Sequence, residues 1–266
     1  MDAAADGRAA RDFLATLGVG DLCGGTATEV TRSHGLVVTL DGFPARPLGT
    51  VGPLDVSWRP GVPAAVRAGQ RITAEVIAVE PGEERVRLSM AATENPELWA
   101  FLKARRPGEI LSGTVASLQR FGVFVALDEG PAHPVFPGVG FITIPQLSWH
   151  RVEEASDVVS TGQRVSCAFL QFDTWNGEAR LSLRATRPDP FLAFADGLTV
   201  GQSLRGRVTR SLPAGVLVRI ADGVEGLIRQ ARAVRPGEEI AVVVAGIDRE
   251  RRRLVLSRHE PAPDLP

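Results

Sequence analysis

The stretch GQRVSCAFLQFDTWNGEARLSL, residues 162–183, is written three times in this chain. Its counterparts are GQRITAEVIAVEPGEERVRLSM at 69–90 and GEEIAVVVAGIDRERRRLVLSR at 237–258. Each copy opens on Gly, carries an acid eleven residues on (Glu80, Asp173, Asp248) and reaches Leu-Ser after nineteen (Leu88, Leu181, Leu256). Two apolar runs of strand length enclose a polar tip, the pattern of a terminal β-hairpin with the acid at its turn. Self-similarity at fixed spacing marks a repeated architecture.

The repeat extends upstream. GDLCGGTATEV at 20–30, GEILSGTVASL at 108–118 and GQSLRGRVTRS at 201–211 each place a second Gly five residues after the first: Gly25, Gly113 and Gly206. The unit is therefore a module of roughly 60 to 80 residues, a size that just sustains its own core. About five short β runs punctuated by Gly and Pro predict a small closed or partly open β-barrel. The third copy is shorter: Gly206 to Gly237 spans 31 residues where Gly113 to Gly162 spans 49, so a truncated third barrel is expected.

Short helices join the modules. In NPELWAFLKARRPG (95–108), Asn95 can cap, Pro96 suits the first helical position, and Leu98, Phe101 and Leu102 share a face. DPFLAFADG (189–197) repeats that grammar, and Ala10, Phe13, Leu14 and Leu17 form a similar stripe closed by Gly18. These stripes read most simply as packing surfaces. The expected order is an N-terminal helix (1–19), a degenerate repeat (20–94), a linker helix (95–107), the best-formed repeat (108–187), a second linker helix (188–200), an Arg-rich third repeat (201–260) and a tail (261–266).

Composition sets the limits. The 266 residues are 44% hydrophobic and 23% charged with a net charge of -1, ordinary for a folded protein and no global argument for a polyanion partner. Charge is uneven, however: residues 198–258 hold twelve Arg against six acids, a net of +6, while 107–187 come to -2. All basic residues but Lys103 are Arg. The longest apolar run, IAVVVAGI (240–247), is far below the ~20 residues of a membrane helix. The polar start MDAAADGRAARDF lacks a signal core, so no membrane and a cytoplasmic location are expected. Cys23 and Cys167 stand apart with no CxxC pattern and read as free thiols, with no metal or other cofactor implied.

One stretch is awkward as an ordinary strand. In QRFGVFVALDEG (119–130), Val123, Val125 and Leu127 form one apolar row, which leaves Phe124 on the other face beside small Ala126. Phe121 lies three residues before Phe124, on the opposite side of a flat strand. A bend or bulge at Gly122 would bring both rings to one face.

With these residues in view, the repeats resemble the S1-type RNA-binding domain, the OB-fold repeat of bacterial ribosomal protein S1 and of several RNA-processing enzymes. The middle copy is the most similar, through GEILSGTVASLQRFGVFVAL, GVGFITIPQLSW, GQRVSCAFLQFD and ARLSLR. Its linker and module also look like small actinobacterial S1-domain proteins. The resemblance implies three tandem five-stranded OB barrels, all β apart from the linking helices. It further implies a non-catalytic binder of single-stranded RNA acting in translation or RNA metabolism, with bases stacking on Phe121 and Phe124. Trp149, Phe141 and Trp175 could extend such a platform, although Phe141 and Trp175 more simply close barrel ends. Where the family often has His, this chain has Thr143 and Arg229; the hairpin acid is Asp173 or Asp248, with Glu80 in the first repeat. The following Arg is Arg85 or Arg253, replaced by Glu178 in the middle repeat, where Arg180 and Arg184 could supply phosphate contacts instead. At the aromatic positions the third repeat has Ala214 and Leu217 and the first has His34 and Val37, so neither offers two rings. The alternative is a ribosome- or protein-docking adaptor built from degenerate repeats.

An enzyme is not expected. His34, His133, His150 and His259 are scattered, no phosphate loop or nucleophile elbow is present, and Asp173 with Glu178 reads as a hairpin acid pair.

Overall fold

The computed structural model describes residues 3–31, 35–59, 61, 66–229 and 234–258. His34, His259 and the tail at 261–266 lie outside the described residues. The chain divides into two compact units, Met1–Ile142 with Val159–Leu181, and Thr143–Val158 with Ser182–Pro266.

Three closed five-stranded barrels follow one another. The first is built from β1 (Leu22–Thr31), β2 (Gly35–Leu40), β3 (Gly49–Val51), β4 (Arg71–Glu80) and β5 (Arg85–Ser89). The second uses β6 (Ile110–Gln119), β7 (Gly122–Leu127), β8 (Gly140–Thr143), β9 (Arg164–Asp173) and β10 (Glu178–Ser182). The third uses β11 (Ser203–Leu212), β12 (Gly215–Ala221), β13 (Val224–Arg229), β14 (Glu239–Asp248) and β15 (Arg253–Arg258). In each, the strands neighbour one another in the order first, second, third, fifth, fourth, and the third and fifth run parallel. The third barrel thus keeps all five strands. Its shortening falls on the connections, with β12 and β13 joined by a two-residue turn.

The spaced glycines have two distinct causes. Gly20, Gly108 and Gly201 take φ of 100°, 86° and 90°, a region that costs glycine little and other residues much. In that conformation each donates its N–H to the fourth strand, at Val76, Phe169 and Val244, over 2.9, 2.8 and 2.8 Å. The second glycine is there for space. A Cβ on Gly25, Gly113 or Gly206 would lie under 3.0 Å from the carbonyl oxygen of Thr39, Ala126 or Arg219 on the adjacent strand. Three residues later the first strand bulges, with register shifts at Ala27/Glu29, Val115/Ser117 and Val208/Arg210. The bulge bends a ten-residue strand so that it pairs with the second strand along one half and the fourth along the other.

Buried Val38, Val76, Val86 and Leu88 centre the first core, on which Ala10 and Leu14 of α1 (Ala3–Leu14) pack. Val218, Val242, Leu254 and Leu256 centre the third, on which Phe191 and Ala195 of α5 (Pro190–Asp196) pack. The Leu-Ser signature pairs a core leucine with a cap. Ser89 accepts from Ala92 N at 3.2 Å and Ser182 from Ala185 N at 3.1 Å, starting the helical turns that leave the first two barrels.

The linker between the first two barrels differs from expectation. It forms α2 (Met90–Glu94) and α3 (Pro96–Lys103), and Asn95 caps nothing with its side chain, which instead donates to Ala91 O at 3.3 Å. Trp99, with Leu98 and Leu102, occupies the buried face that Phe101 was expected to share. Its Nε1 donates to Glu75 Oε1 at 2.8 Å, and Lys103 Nζ meets the same oxygen at 2.6 Å. Of the two later helices, α4 (Ile144–Leu147) and α5, the second is capped as the sequence predicts, with Asp189 Oδ1 accepting from Phe191 N at 2.9 Å.

Gly113→Ala is expected to lower the thermal midpoint, by overpacking that costs about 1–3 kcal/mol, because the strained contact is with backbone. Gly82→Ala, with open space around it, should leave the midpoint nearly unchanged in the same calorimetric scan.

Candidate nucleic-acid interface

The awkward strand of the second barrel resolves into a cluster of rings. Phe121 sits in the turn before β7 and is 62% exposed, whereas Phe124, inside β7, is 4% exposed. The expected pair of outward rings is therefore a single outward ring. Phe124 lies under Phe136, stacked at 4.9 Å and 21°, and against Phe141 at 5.0 Å. Phe141 in turn supports Phe121 at 5.8 Å and 36°. The cover comes from the twelve residues between β7 and β8, which bring Phe136 over the strand.

Gly122 does not carry the bulge, which falls on the partner strand between Val115 and Ser117. Its role is clearance: a Cβ there would collide with Ile142 O and with the Phe141 ring. Phe141 can pass beneath Phe121 only because residue 122 has no side chain.

His133 holds the covering segment in place. Its Nδ1 accepts from Val135 N at 3.1 Å and Phe136 N at 3.0 Å, and its Nε2 is 2.8 Å from Asn176 O. These partners require a neutral ring with the proton on Nε2, and burial correspondingly pushes its pKa down. The ring also stacks on Phe136 at 4.7 Å and on Trp58 at 5.8 Å.

Arg180 takes the place of the arginine missing at Glu178. Its Nε and Nη2 reach Asp173 Oδ2 at 3.0 and 2.5 Å, and its guanidinium lies 4.9 Å from the Phe141 ring centre. Asp173 also accepts from Trp175 N at 3.0 Å, which shapes the hairpin tip and leaves Trp175 57% exposed. Arg85 pairs with Glu80 in the first barrel in the same way, at 2.6 Å. In the third, Asp248 and Arg253 face each other in register, Arg253 is exposed, and Asp248 Oδ1 accepts from Arg251 N at 2.9 Å.

Glu178 is buried at 3% exposure, and its carboxyl is pushed up to about 7. Burial is the main cause; Arg180 opposes it and Asp173 adds to it. Arg180 Nη2 approaches Glu178 Oε2 to 3.4 Å without the alignment of a hydrogen bond.

The other sequence-predicted residues make none of these ring contacts. Thr143 is the half-buried last residue of β8, and Arg229 the exposed last residue of β13. Trp149 and Arg184 belong to the unit that holds the third barrel, where Trp149 Nε1 donates to Arg187 O at 3.1 Å. Arg184 and Arg252 each lie 4.5 Å from the Trp149 ring centre. The Arg-rich hairpin is partly committed to α5: Arg249 Nη2 donates to Ala195 O at 2.7 Å, and Arg252 binds Asp189 through Nε and Nη2 at 2.6 and 2.9 Å. Arg252 stands at a left-handed turn position, φ 50°, occupied by Glu84 in the first barrel and Gly177 in the second. Glu84 reaches Arg46 and Arg11, while Gly177 lies flat beneath the Trp58 ring.

Phe136 and His133 were missed in the sequence. The one available signal was the unusual PAHPVFPG between two strands.

A family model described as the S1 RNA binding domain matches residues 105–184 and 198–259, more than half of the chain. The chain belongs to the S1 RNA binding domain family. The matched residues take in the second and third S1 barrels. Among curated proteins, the chain is similar to the small ribosomal subunit protein bS1 of Mycolicibacterium smegmatis, 33% identical over 205 residues, 71% of this chain and 41% of that protein. It is also similar to the bS1 protein of Staphylococcus haemolyticus, 30% identical over 230 residues, 77% of this chain and 57% of the relative. The S1 chain thus spans about half the length of these relatives. Among solved structures, GSP13 from Bacillus subtilis is 27% identical, covering 36% of this chain and 73% of that one, with a TM-score of 0.27.

The ring cluster separates two substitutions that look alike in sequence. Phe124→Ala should cost about 3–5 kcal/mol of stability and lower the thermal midpoint, while Phe121→Ala should leave it nearly unmoved. Glu178 gives a pH signature. Its proton is held more tightly in the folded state, so the stability it contributes is full at acid pH and is lost as pH rises from 4.5 through about 7. Glu178→Gln should remove that loss, so the midpoint of the variant rises relative to the parent between mildly acid and mildly alkaline buffer.

Proposed function

We propose that this chain is a non-catalytic binder of single-stranded RNA acting in translation or RNA metabolism, with the second barrel presenting the stacking surface. The observation that carries this reading is Phe121: a ring exposed over most of its area, propped from beneath by Phe141, on a barrel of the S1 RNA binding domain family. A base laid on a ring of fixed orientation loses little further freedom, and stacking tolerates any base because each has a flat face. The bS1 relatives, ribosomal proteins by name, support a setting in translation. Phe124 serves this surface from below, as part of the support.

Arg180, neutralised by Asp173, orients the rim of the surface and contributes hydrogen bonding more than net charge. Trp175, exposed at the adjoining hairpin, offers a second ring. Thr143 supplies a hydroxyl at the end of β8. In the third barrel, which has no ring at the matching positions, exposed Arg229 and Arg253, with Asp248, contribute through phosphate and sugar groups. Several weak sites on one chain raise overall affinity through effective concentration, and sequence preference should be slight.

The test is anisotropy of a labelled single strand. Phe121→Ala should weaken binding by about 1–3 kcal/mol, roughly 5- to 150-fold, at unchanged thermal stability and with little change in salt dependence. Equal affinity of parent and variant would refute the stacking role.

A further inference from the structure

We propose that the cleft beside Trp149 is a phosphate site for one nucleotide of a single-stranded RNA, distinct from the Phe121 surface. This rests on the reading that the chain binds RNA and adds a place where the backbone is gripped. The cleft lies wholly within the unit formed by Thr143–Val158 and Ser182–Pro266, and has a volume of about 630 Å³, within the range of small-ligand sites. Trp149, Arg184, Arg252, Arg219 and His150 line it.

The charges in the cleft are unevenly answered. Asp189 takes Arg252 through two hydrogen bonds. Glu225 lies 4.0 Å from Arg219, and Asp222 lies 3.3 Å from His150. Arg184 donates through Nε to Gln146 Oε1 at 3.1 Å, a neutral partner, and among the described residues no carboxylate comes within 4.0 Å of its guanidinium. Two guanidiniums therefore share one tryptophan ring while a single carboxylate answers them. Burial first, and Arg252 second, depress the Arg184 pKa, against the opposing pull of Asp189.

An entering anion supplies what is missing. Arginine presents its N–H groups as a planar fork matched to phosphate oxygens, and Gln146 fixes the Arg184 fork by its Nε. Asp189 fixes Arg252 in the same way, so both forks are oriented before a ligand arrives, which lowers the cost of ordering them. The Trp149 edge and His150 give the attached nucleoside a partly aromatic wall.

Anisotropy of a labelled oligouridine strand, measured across a range of salt, tests the site with parent, Arg184→Gln, Arg184→Lys and Arg67→Gln chains. Arg67 is exposed, in the other unit, and controls for net charge. Arg184→Gln should bind about 5- to 10-fold more weakly and show a log–log salt slope shallower by about 0.7, the share of one phosphate on a single strand. Arg184→Lys should keep most of the slope, which also shows that the cleft still folds, and Arg67→Gln should match the parent. An Arg184→Gln slope equal to that of the parent overturns the proposal, as does an equal change in Arg67→Gln. Failure of the general reading looks different: the parent fails to bind the strand, or Phe121→Ala leaves affinity untouched while the Arg184 slope effect persists. Calorimetry with uridine monophosphate separates the remaining source. A heat abolished in Arg184→Gln, with strand slopes unchanged, would make this a free-nucleotide site and overturn the strand assignment.

Discussion

A five-stranded barrel of this size closes only if its first strand crosses the second almost backbone to backbone. Gly25, Gly113 and Gly206 make that crossing possible, since any Cβ there would strike a carbonyl of the neighbouring strand. Up to this crossing the first strand pairs with the fourth; the bulge three residues on then carries it along the second alone, and the parallel contact between third and fifth strands seals the ring. The valines and leucines inside are ordinary core residues. What makes the barrel is the absence of a side chain at one place and an extra residue at another.

That constraint explains why the fold was so legible. Glycine spacing, the hairpin acid and Leu-Ser are local signals with local causes, and three copies made them readable against background variation. The site was less legible because its decisive partner is distant in sequence. Nothing in the alternation of β7 reveals that Phe136 lies on Phe124, and only the proline-rich segment before β8 brings it there. Gly122 looked like a place to bend the chain and is instead the clearance for Phe141. The arginine count of the third repeat says nothing of their partners, and Arg249 and Arg252 hold α5 by its two ends.

The two candidate surfaces differ in the physical resource each presents. Beside Phe121, Arg180 is paired with Asp173, and the exposed resource is a ring. Around Trp149 the ring is already occupied by guanidiniums, and the resource is positive charge. Phosphate contacts weaken as salt rises whereas a stacked base carries little of that dependence, so the two kinds of surface differ in their sensitivity to ionic conditions.

The left-handed turn residue of each hairpin carries one more consequence. Glu84, Gly177 and Arg252 occupy the same backbone position, yet the first carries a carboxylate to Arg46, the second is bare because an indole rests on it, and the third spans to a helix cap. The barrels are alike in topology but no longer exchangeable. A shuffled chain carrying the third hairpin in the second place would set an arginine where Trp58 must lie. At the second turn the indole leaves no room for any side chain, so the third hairpin cannot simply replace the second.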